Sequence, residues 1–365
     1  MSHPTLIKPP PPSENRAPIE DVLELTHLNA IDPTLFTNTR PLWHPPGARG
    51  IYGGAVIAQC LAAAQKTVPE DFNVHSMHCY FVLNGNSELP VIYTVENVRQ
   101  GRSFATRTVQ ARQRGQPIFT VTLSFMREGS GGKQTVSHAA NMPDLKPPTE
   151  EEPVDMLRGG NSPFVQQMVD IKNNDSPNPH EKRTRLWIKA RGRISEEGGH
   201  QAHLSALAYM SDSYFIGTVA RVHRLWRYTQ VPKTNEKGDT KDLITSDVLE
   251  KLKKMDLETL KRVSGLDDDM INQIQSLEVK DGKVVGLKEK TTPKSIGMMV
   301  SLDHSIYFHS PRDFRADEWM VAESETPWAG DGRGLVMQRI FSKDGKLIAS
   351  CVQEGVVRLK QDSKL

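Results

Sequence analysis

Gly53-Gly54-Ala55-Val56-Ile57-Ala58-Gln59-Cys60-Leu61-Ala62-Ala63-Ala64 reads as a helix with almost no polar side, opened by two glycines and closed off by Pro69. A helix apolar around nearly its whole circumference belongs in a core rather than on a surface. Beyond Pro69 the chain turns β-like. Residues 74–82, 90–99, 103–112 and 117–127 are short runs rich in β-branched and aromatic side chains, separated by the turn signals Asn84-Gly85-Asn86, Gln100-Gly101 and Arg114-Gly115. One buried helix leading into an antiparallel meander predicts a sheet curled around that helix.

The pattern then restarts. Residues 185–191 read as a strand, Glu196-Glu197-Gly198-Gly199 leads into a second largely apolar helix over 200–215, and strands are expected near 305–309, 320–325, 333–342 and 346–358. The two halves read as a repeat. Gly115-Gln116-Pro117-Ile118 matches Gly345-Lys346-Leu347-Ile348, and Tyr80-Phe81 matches Tyr307-Phe308. On these registers Val74 lies opposite Ser301 and Leu123 opposite Gln353, so the second copy is polar where the first is apolar. Chemistry is therefore expected in the second half only. The predicted organisation is a disordered Pro-rich segment over 1–29, a first unit over 30–127 and a linker over 128–184 with one short helix near 164–171. A second unit over 185–359 and a tail over 360–365 complete it. A charged stretch over 228–293 interrupts the second unit. It reads as a solvated insertion with short exposed helices near 247–254 and 257–263.

With 365 residues the chain exceeds what one core usually needs. Its 46 basic and 44 acidic residues leave a formal charge of +2, which gives no support for nucleic-acid binding. Cys60, Cys79 and Cys351 are isolated in apolar contexts, with neither metal-ligand spacing nor a disulfide framework, which favours a reducing compartment. No apolar run reaches the roughly 18 residues of a membrane span. Dinucleotide, P-loop and metal motifs are absent, so no cofactor and no metal are expected. Ser363-Lys364-Leu365, carried on the polar stretch Lys360-Gln361-Asp362, reads as the address recognised by the peroxisomal import receptor, placing the protein in the peroxisome matrix.

Three residues are candidates for chemistry. Asp212 lies near the end of the second apolar helix, where a buried carboxylate is costly unless it is paired or hydrogen-bonded; a helix-end aspartate that reaches solvent or caps a neighbouring loop is the plain alternative. Gln353 shares one strand face with Leu347, Ala349, Cys351 and Val357, and a lone amide on an apolar face calls for a partner. Ser301 is less marked, because strict alternation sets it with Asp303, Ser305, Tyr307 and His309 on what could be the outward face. Asp303-His304 invites a Ser-His-Asp triad, but neighbours in one strand point to opposite faces. No Gly-x-Ser-x-Gly elbow accompanies it. His75 and His78 have no acidic partner at useful spacing.

Taken together, Gly53-Gly54 with its helix, Val74-His75-Ser76-Met77-His78-Cys79-Tyr80-Phe81, Gly101-Arg102-Ser103-Phe104, Ala208-Tyr209-Met210-Ser211-Asp212, Leu302-Asp303-His304-Ser305 and Val352-Gln353-Glu354-Gly355 resemble the acyl-CoA thioesterase II family, which includes peroxisomal members. The resemblance spans 30–127 and 185–358. It implies an α+β double hotdog, two tandem antiparallel sheets each wrapped around a central helix, and hydrolysis of fatty acyl-CoA to free acid and CoA. It also implies a homo-oligomer. In that family an Asp, a Ser or Thr, and a Gln hold the attacking water. Asp212, Ser301 and Gln353 stand at those positions, with Asp212 expected as general base. The CoA phosphates need basic residues, for which Arg221, Arg224 and Arg227 are the candidates. Three other readings remain open: a hotdog enoyl-CoA hydratase, which needs a His paired with an acid, a non-enzymatic acyl-CoA carrier, and acyl transfer to an amine or alcohol.

Overall fold

The apolar run at 53–64 forms helix α2 (Gly53–Gln65), whose side chains are buried almost all the way round. The computed structural model describes residues 9–11, 14–44, 50–148, 162–225, 246–264, 268–275, 277–280, 283–287, 294 and 296–361. In the middle of α2 the polar Gln59 is hydrogen-bonded at both ends: its Nε2 donates to Val22 O at 2.7 Å and its Oε1 accepts from Tyr93 Oη. That contact docks a short N-terminal helix, α1 (Pro18–Leu23), onto the core, with Ile19 and Leu23 buried. The first curled sheet contains β1 (Leu25–His27), β2 (Leu35–Asn38), β3 (Phe72–Phe81), β4 (Ile92–Gln100), β5 (Phe104–Gln113) and β6 (Gln116–Arg127).

The second half repeats the plan around α3 (Gly199–Ser211). Its strands are β7 (Phe164–Lys172), β8 (Arg183–Ala190), β11 (Ile296–Ser301), β12 (Asp303–Phe308), β13 (Met320–Gly330), β14 (Arg333–Ser342) and β15 (Leu347–Leu359), with a short helix α4 (Gly217–Val222) after α3. Antiparallel pairing of β3 with β12 joins the two sheets edge to edge, giving the order β1-β2-β4-β5-β6-β3-β12-β15-β14-β13-β8-β7, with β11 also on β15. The order reads the same from either end, so β3 answers to β12, β6 to β15 and α2 to α3. The helices run antiparallel inside this curl. The start of α2 meets the end of α3, where Tyr52 Oη donates to Tyr209 O at 3.1 Å, while Gln65 near the end of α2 accepts from Ser205 Oγ at 3.0 Å.

The repeat extends to an irregularity. The β3–β6 register shifts between Val74 and Ser76. The β11–β12 run makes the same shift against β15, pairing Ser301 with Gly355 but Ser305 with Val352. An extra residue of this kind is a β-bulge, and it changes the face of everything beyond it. Ser301, set outward by strict alternation, is thereby turned to the inner face it shares with Gly355 and Gln353. Leu302 N–H donates to Glu354 O at 2.9 Å, and the Asp303 carboxylate accepts the Glu354 N–H at 2.7 Å, so the backbone group displaced by the bulge is satisfied by a side chain.

Three expectations are corrected. Residues 14–29 are ordered, because α1 has an apolar stripe to bury and Arg16 and Arg40 both pair with Glu24. Residues 164–171 form β7, not a helix: Phe164, Val165, Gln166 and Met168 are buried against the sheet, and β8 supplies the hydrogen-bond partners. The charged insertion carries α5 (Ser246–Lys253), α6 (Leu257–Ser264), α7 (Asp268–Gln275) and a hairpin of β9 (Leu277–Lys280) with β10 (Lys283–Leu287). Leu249, Leu252, Leu260, Ile271 and Ile274 are buried there, where α7 packs on α5 and α6 and α6 also meets β7, so these helices have a covered face instead of lying exposed. The first two read as solvated in the sequence because their few apolar residues sit at helical spacing among charged ones, and only a neighbour covers them.

Close approach of α2 and α3 depends on Gly54, where a Cβ would lie 2.1 Å from Tyr209 O. Helix propensity alone favours Gly54→Ala by about 1 kcal/mol, whereas overpacking costs about 1–3 kcal/mol. The clash is with backbone and should win. Thermal unfolding of Gly54→Ala is expected to show a lower midpoint; an equal or higher one would contradict this helix contact.

Candidate active site

Helix α3 runs out at Ser211, and Asp212 is its C-cap, followed by a turn in which Ser213 N–H returns to Met210 O and Tyr214 takes a left-handed φ of 55°. The turn leaves the Asp212 carboxylate facing the first turn of α2. A Cβ on Gly53 would lie 2.6 Å from Asp212 Oδ2, and the Gly54 N–H points at the same carboxylate. Only glycine leaves room there.

From the sheet side, Gln353 on β15 enters the same spot with no exposed surface. Its Nε2 donates to Asp212 Oδ1 at 2.9 Å and lies 3.0 Å from His304 Nδ1. His304, also fully buried, lies 3.0 Å from Ser211 Oγ through Nε2, and Ser211 Oγ donates to Ala208 O at 2.9 Å. Phe215 packs edge-on against the His304 ring, centroids 5.3 Å apart. The amide oxygen of Gln353 accepts no hydrogen bond from the described protein.

Burial sets the electrostatics. Asp212, its side chain 9 % exposed, is pushed up from its ordinary 3.8 to about 6 by desolvation, against the pull of the Gln353 and Gly54 N–H donors. Its place at the C-terminal end of α3 disfavours the anion, while the N-terminal end of α2 favours it. His304 is lowered to about 3 by desolvation and is therefore neutral near pH 7. The 4.0 Å approach of His304 Nδ1 to Asp212 Oδ1 is thus not an ion pair. The result is a carboxylate that titrates near neutrality, beside an amide oxygen with nothing to accept and a helix start that can receive negative charge.

The structure brings Asp212 and Gln353 together. Ser301 lies half-buried one pair further along the same sheet face, without a side-chain hydrogen bond to either. Arg221, on α4, is turned inward and buried, with Nη1 donating to Met168 Sδ at 3.5 Å. Arg224 is exposed and donates to Asn174 O, and Arg227 lies outside the described residues. Ser211 is not among the sequence candidates, and His304 enters there only as a member of a Ser-His-Asp triad. A signal existed, because His304 alternates with Ile306 and Phe308 on an inner face and is as isolated there as Gln353 on its own. Among the described residues no group of three His, Cys, Asp or Glu side chains gathers as metal ligands.

In the first half the corresponding sheet positions are apolar and the helix cap is a lysine. Met77 pairs with Leu123 where His304 meets Gln353, Val74 and Phe125 stand for Ser301 and Gly355, and Lys66 caps α2 where Asp212 caps α3. The fold is duplicated; the polar cluster is not.

Comparison with known proteins agrees with this architecture. Residues 40–126 match the model of the acyl-CoA thioesterase N-terminal domain, and residues 141–357 that of the acyl-CoA thioesterase C-terminal domain. Human acyl-coenzyme A thioesterase 8 is 33% identical over 97% of this chain and 94% of its own length. The peroxisomal acyl-coenzyme A thioester hydrolase 1 of Saccharomyces cerevisiae is 34% identical over 35% of this chain and 36% of its own length. A crystal structure of an acyl-CoA thioesterase II from Mycobacterium marinum superposes with a TM-score of 0.61 at 25% identity, covering 95% of this chain and 99% of that one. Matching across both halves, in order and over most of its length, the chain belongs to the acyl-CoA thioesterase II family.

Proposed function

We propose that this protein hydrolyses acyl-CoA thioesters through a water held by Asp212, Gln353 and Ser301. The observation that carries the reading is the hydrogen bond from Gln353 Nε2 to Asp212 Oδ1 at the start of α2, which has no counterpart in the first half, where Leu123 and Lys66 stand at those positions. Asp212 takes a proton from the water as its oxygen attacks the thioester carbonyl. The amide oxygen of Gln353 and the hydroxyl of Ser301 hold that water in line. Negative charge developing on the carbonyl oxygen is received by backbone N–H groups at the start of α2. The C–S bond then breaks, the proton held by Asp212 passes to the leaving sulfur, and the products are the free acid and CoA. No covalent bond to the protein forms.

One competing reading is answered by particular contacts. A hydratase needs a His and an acid open to substrate, and His304 does approach Asp212. Both ring nitrogens of His304, however, are engaged inside the protein, by Ser211 and by Gln353, which leaves neither to act as a base on a substrate. A carrier that binds acyl-CoA without cleaving it has no need of a carboxylate titrating near neutrality, and activity decides that question.

Measured as CoA release from acyl-CoAs of graded chain length, turnover by Asp212→Asn is expected to fall by about 10²–10⁴-fold with acyl-CoA still bound. Binding without turnover in the wild type would leave the carrier. For the wild type, kcat/KM should drop about tenfold per pH unit below about 6, where Asp212 holds its proton. A flat profile through that range would remove Asp212 as the base.

The same group gives a stability prediction of opposite pH sense. Because the folded state raises the Asp212 value, its protonated form contributes stability that is complete below about 3.8 and lost as pH rises through about 6. Above that range the buried anion costs up to about 3 kcal/mol relative to a neutral group. Asp212→Asn should therefore raise the unfolding midpoint at pH 7–8 and leave it unchanged near pH 4. An equal shift at both would show that the carboxylate is not strained by burial.

Localisation in the peroxisome matrix is part of the same proposal. Ser363-Lys364-Leu365 lies outside the described residues, and the support is the tripeptide together with the name of the yeast relative. A fluorescent fusion keeping these three residues at its end should be punctate, and one lacking them diffuse; a diffuse pattern for both would remove this assignment.

A further inference from the structure

We propose that His304 and Ser211 are positioning residues that fix which end of the Gln353 amide faces the attacking water, by handing a fixed hydrogen-bond polarity from the backbone of α3 to the site. The inference rests on the reading of Asp212 and Gln353 above. Ser211 Oγ carries one hydrogen and has two neighbours, Ala208 O at 2.9 Å and His304 Nε2 at 3.0 Å. A backbone carbonyl can only accept, so the assignment that satisfies both contacts sends the Ser211 hydrogen to Ala208 O and lets Ser211 Oγ accept from His304 Nε2–H.

A neutral imidazole then has a bare Nδ1, which can only accept. Gln353 must present its NH₂ to it, at 3.0 Å, and the second N–H of that NH₂ reaches Asp212 Oδ1 at 2.9 Å. Oε1 is left turned away from both partners, and it is a fully buried acceptor that no described residue engages. The opposite tautomer makes a poor network. A hydrogen on Nδ1 would face the amide NH₂, donor against donor, and turning the amide to relieve this would set its oxygen against the Asp212 carboxylate. Burial of His304, with Phe215 edge-on to the ring and a value lowered to about 3, keeps the ring neutral, so the polarity is not erased by protonation.

This second anchor matters during turnover. When Asp212 takes the proton of the water it becomes able to donate, and a hydrogen bond to Asp212 alone would no longer tell the two ends of the amide apart. The His304 contact does not change at that moment. It holds the amide oxygen toward the water through the whole cycle. In the first half Met77 stands in place of His304 and Leu123 in place of Gln353, so the relay and the group it orients are missing together.

The test has two arms, both on the full chain. Ring-nitrogen NMR of the histidine-labelled wild type at neutral pH, with the His304 signals assigned by their loss in His304→Gln, should show the Nε2-protonated neutral form. The Nδ1-protonated form or an imidazolium would overturn the relay. The second arm is a kinetic cycle of Ser211→Ala, Gln353→Ala and the double variant, each checked for cooperative unfolding. Ser211→Ala is expected to lower kcat roughly tenfold with KM unchanged, and to cost nothing further once Gln353 is already alanine. Equal losses in both backgrounds would overturn the relay and leave the water-holding site standing. Wild-type turnover in Gln353→Ala would overturn that site and the relay with it.

Discussion

The carboxylate of Asp212, taken out of water at the junction of two antiparallel helices, is the constraint on which the rest of the site depends. A buried anion is tolerated only with donors aimed at it, and here they come from two directions: the first turn of α2 and the amide of Gln353 on β15. Neither donor could reach it if the helices were held apart by side chains. The glycine pair at 53–54 lets α2 arrive with its N–H groups foremost. The helix contact, the elevated value of Asp212 and the access to a helix start for developing charge are thus one geometric fact seen three ways.

The two halves show what a duplicated fold needs and what it can vary. Both keep the apolar central helix, the curled sheet and the bulge. The bulge has structural work in each half, since it lets the strand bend around the helix, and in the second half it also turns Ser301 inward. Filling the inner face with Met77, Leu123, Val74 and Phe125 makes the first half a better core. Replacing them with His304, Gln353, Ser301 and Gly355 gives up apolar burial for a polar network, every member of which must be satisfied or be turned toward substrate. The β3–β12 seam sets the two solutions side by side in one sheet.

Sequence alone determined two central helices, the meander strands and their repeat, because a largely apolar helix and short alternating strands each have one way to hide from water; it ran the second helix on to 215, whereas α3 ends at Ser211. It also singled out Asp212 and Gln353, since a charge closing an apolar helix and an amide on an apolar face stand out in one dimension. What it could not supply were features whose cause lies in a neighbour. Residues 164–172 are a strand because β8 offers hydrogen-bond partners, and the insertion helices have their apolar faces covered only once the chain has folded. Arg221 reads as a free cation in one dimension, but α4 carries it inward, where its Nη1 meets Met168 of β7. Ser301 faces inward because of a one-residue shift in pairing, which alternation along a single strand does not reveal. His304 joined the site only when α3 brought Ser211 and Asp212 to it. Chemistry of single residues was written in the chain, and the polarity of the network that aims them was decided by packing, because a hydrogen bond takes its direction from both of its ends.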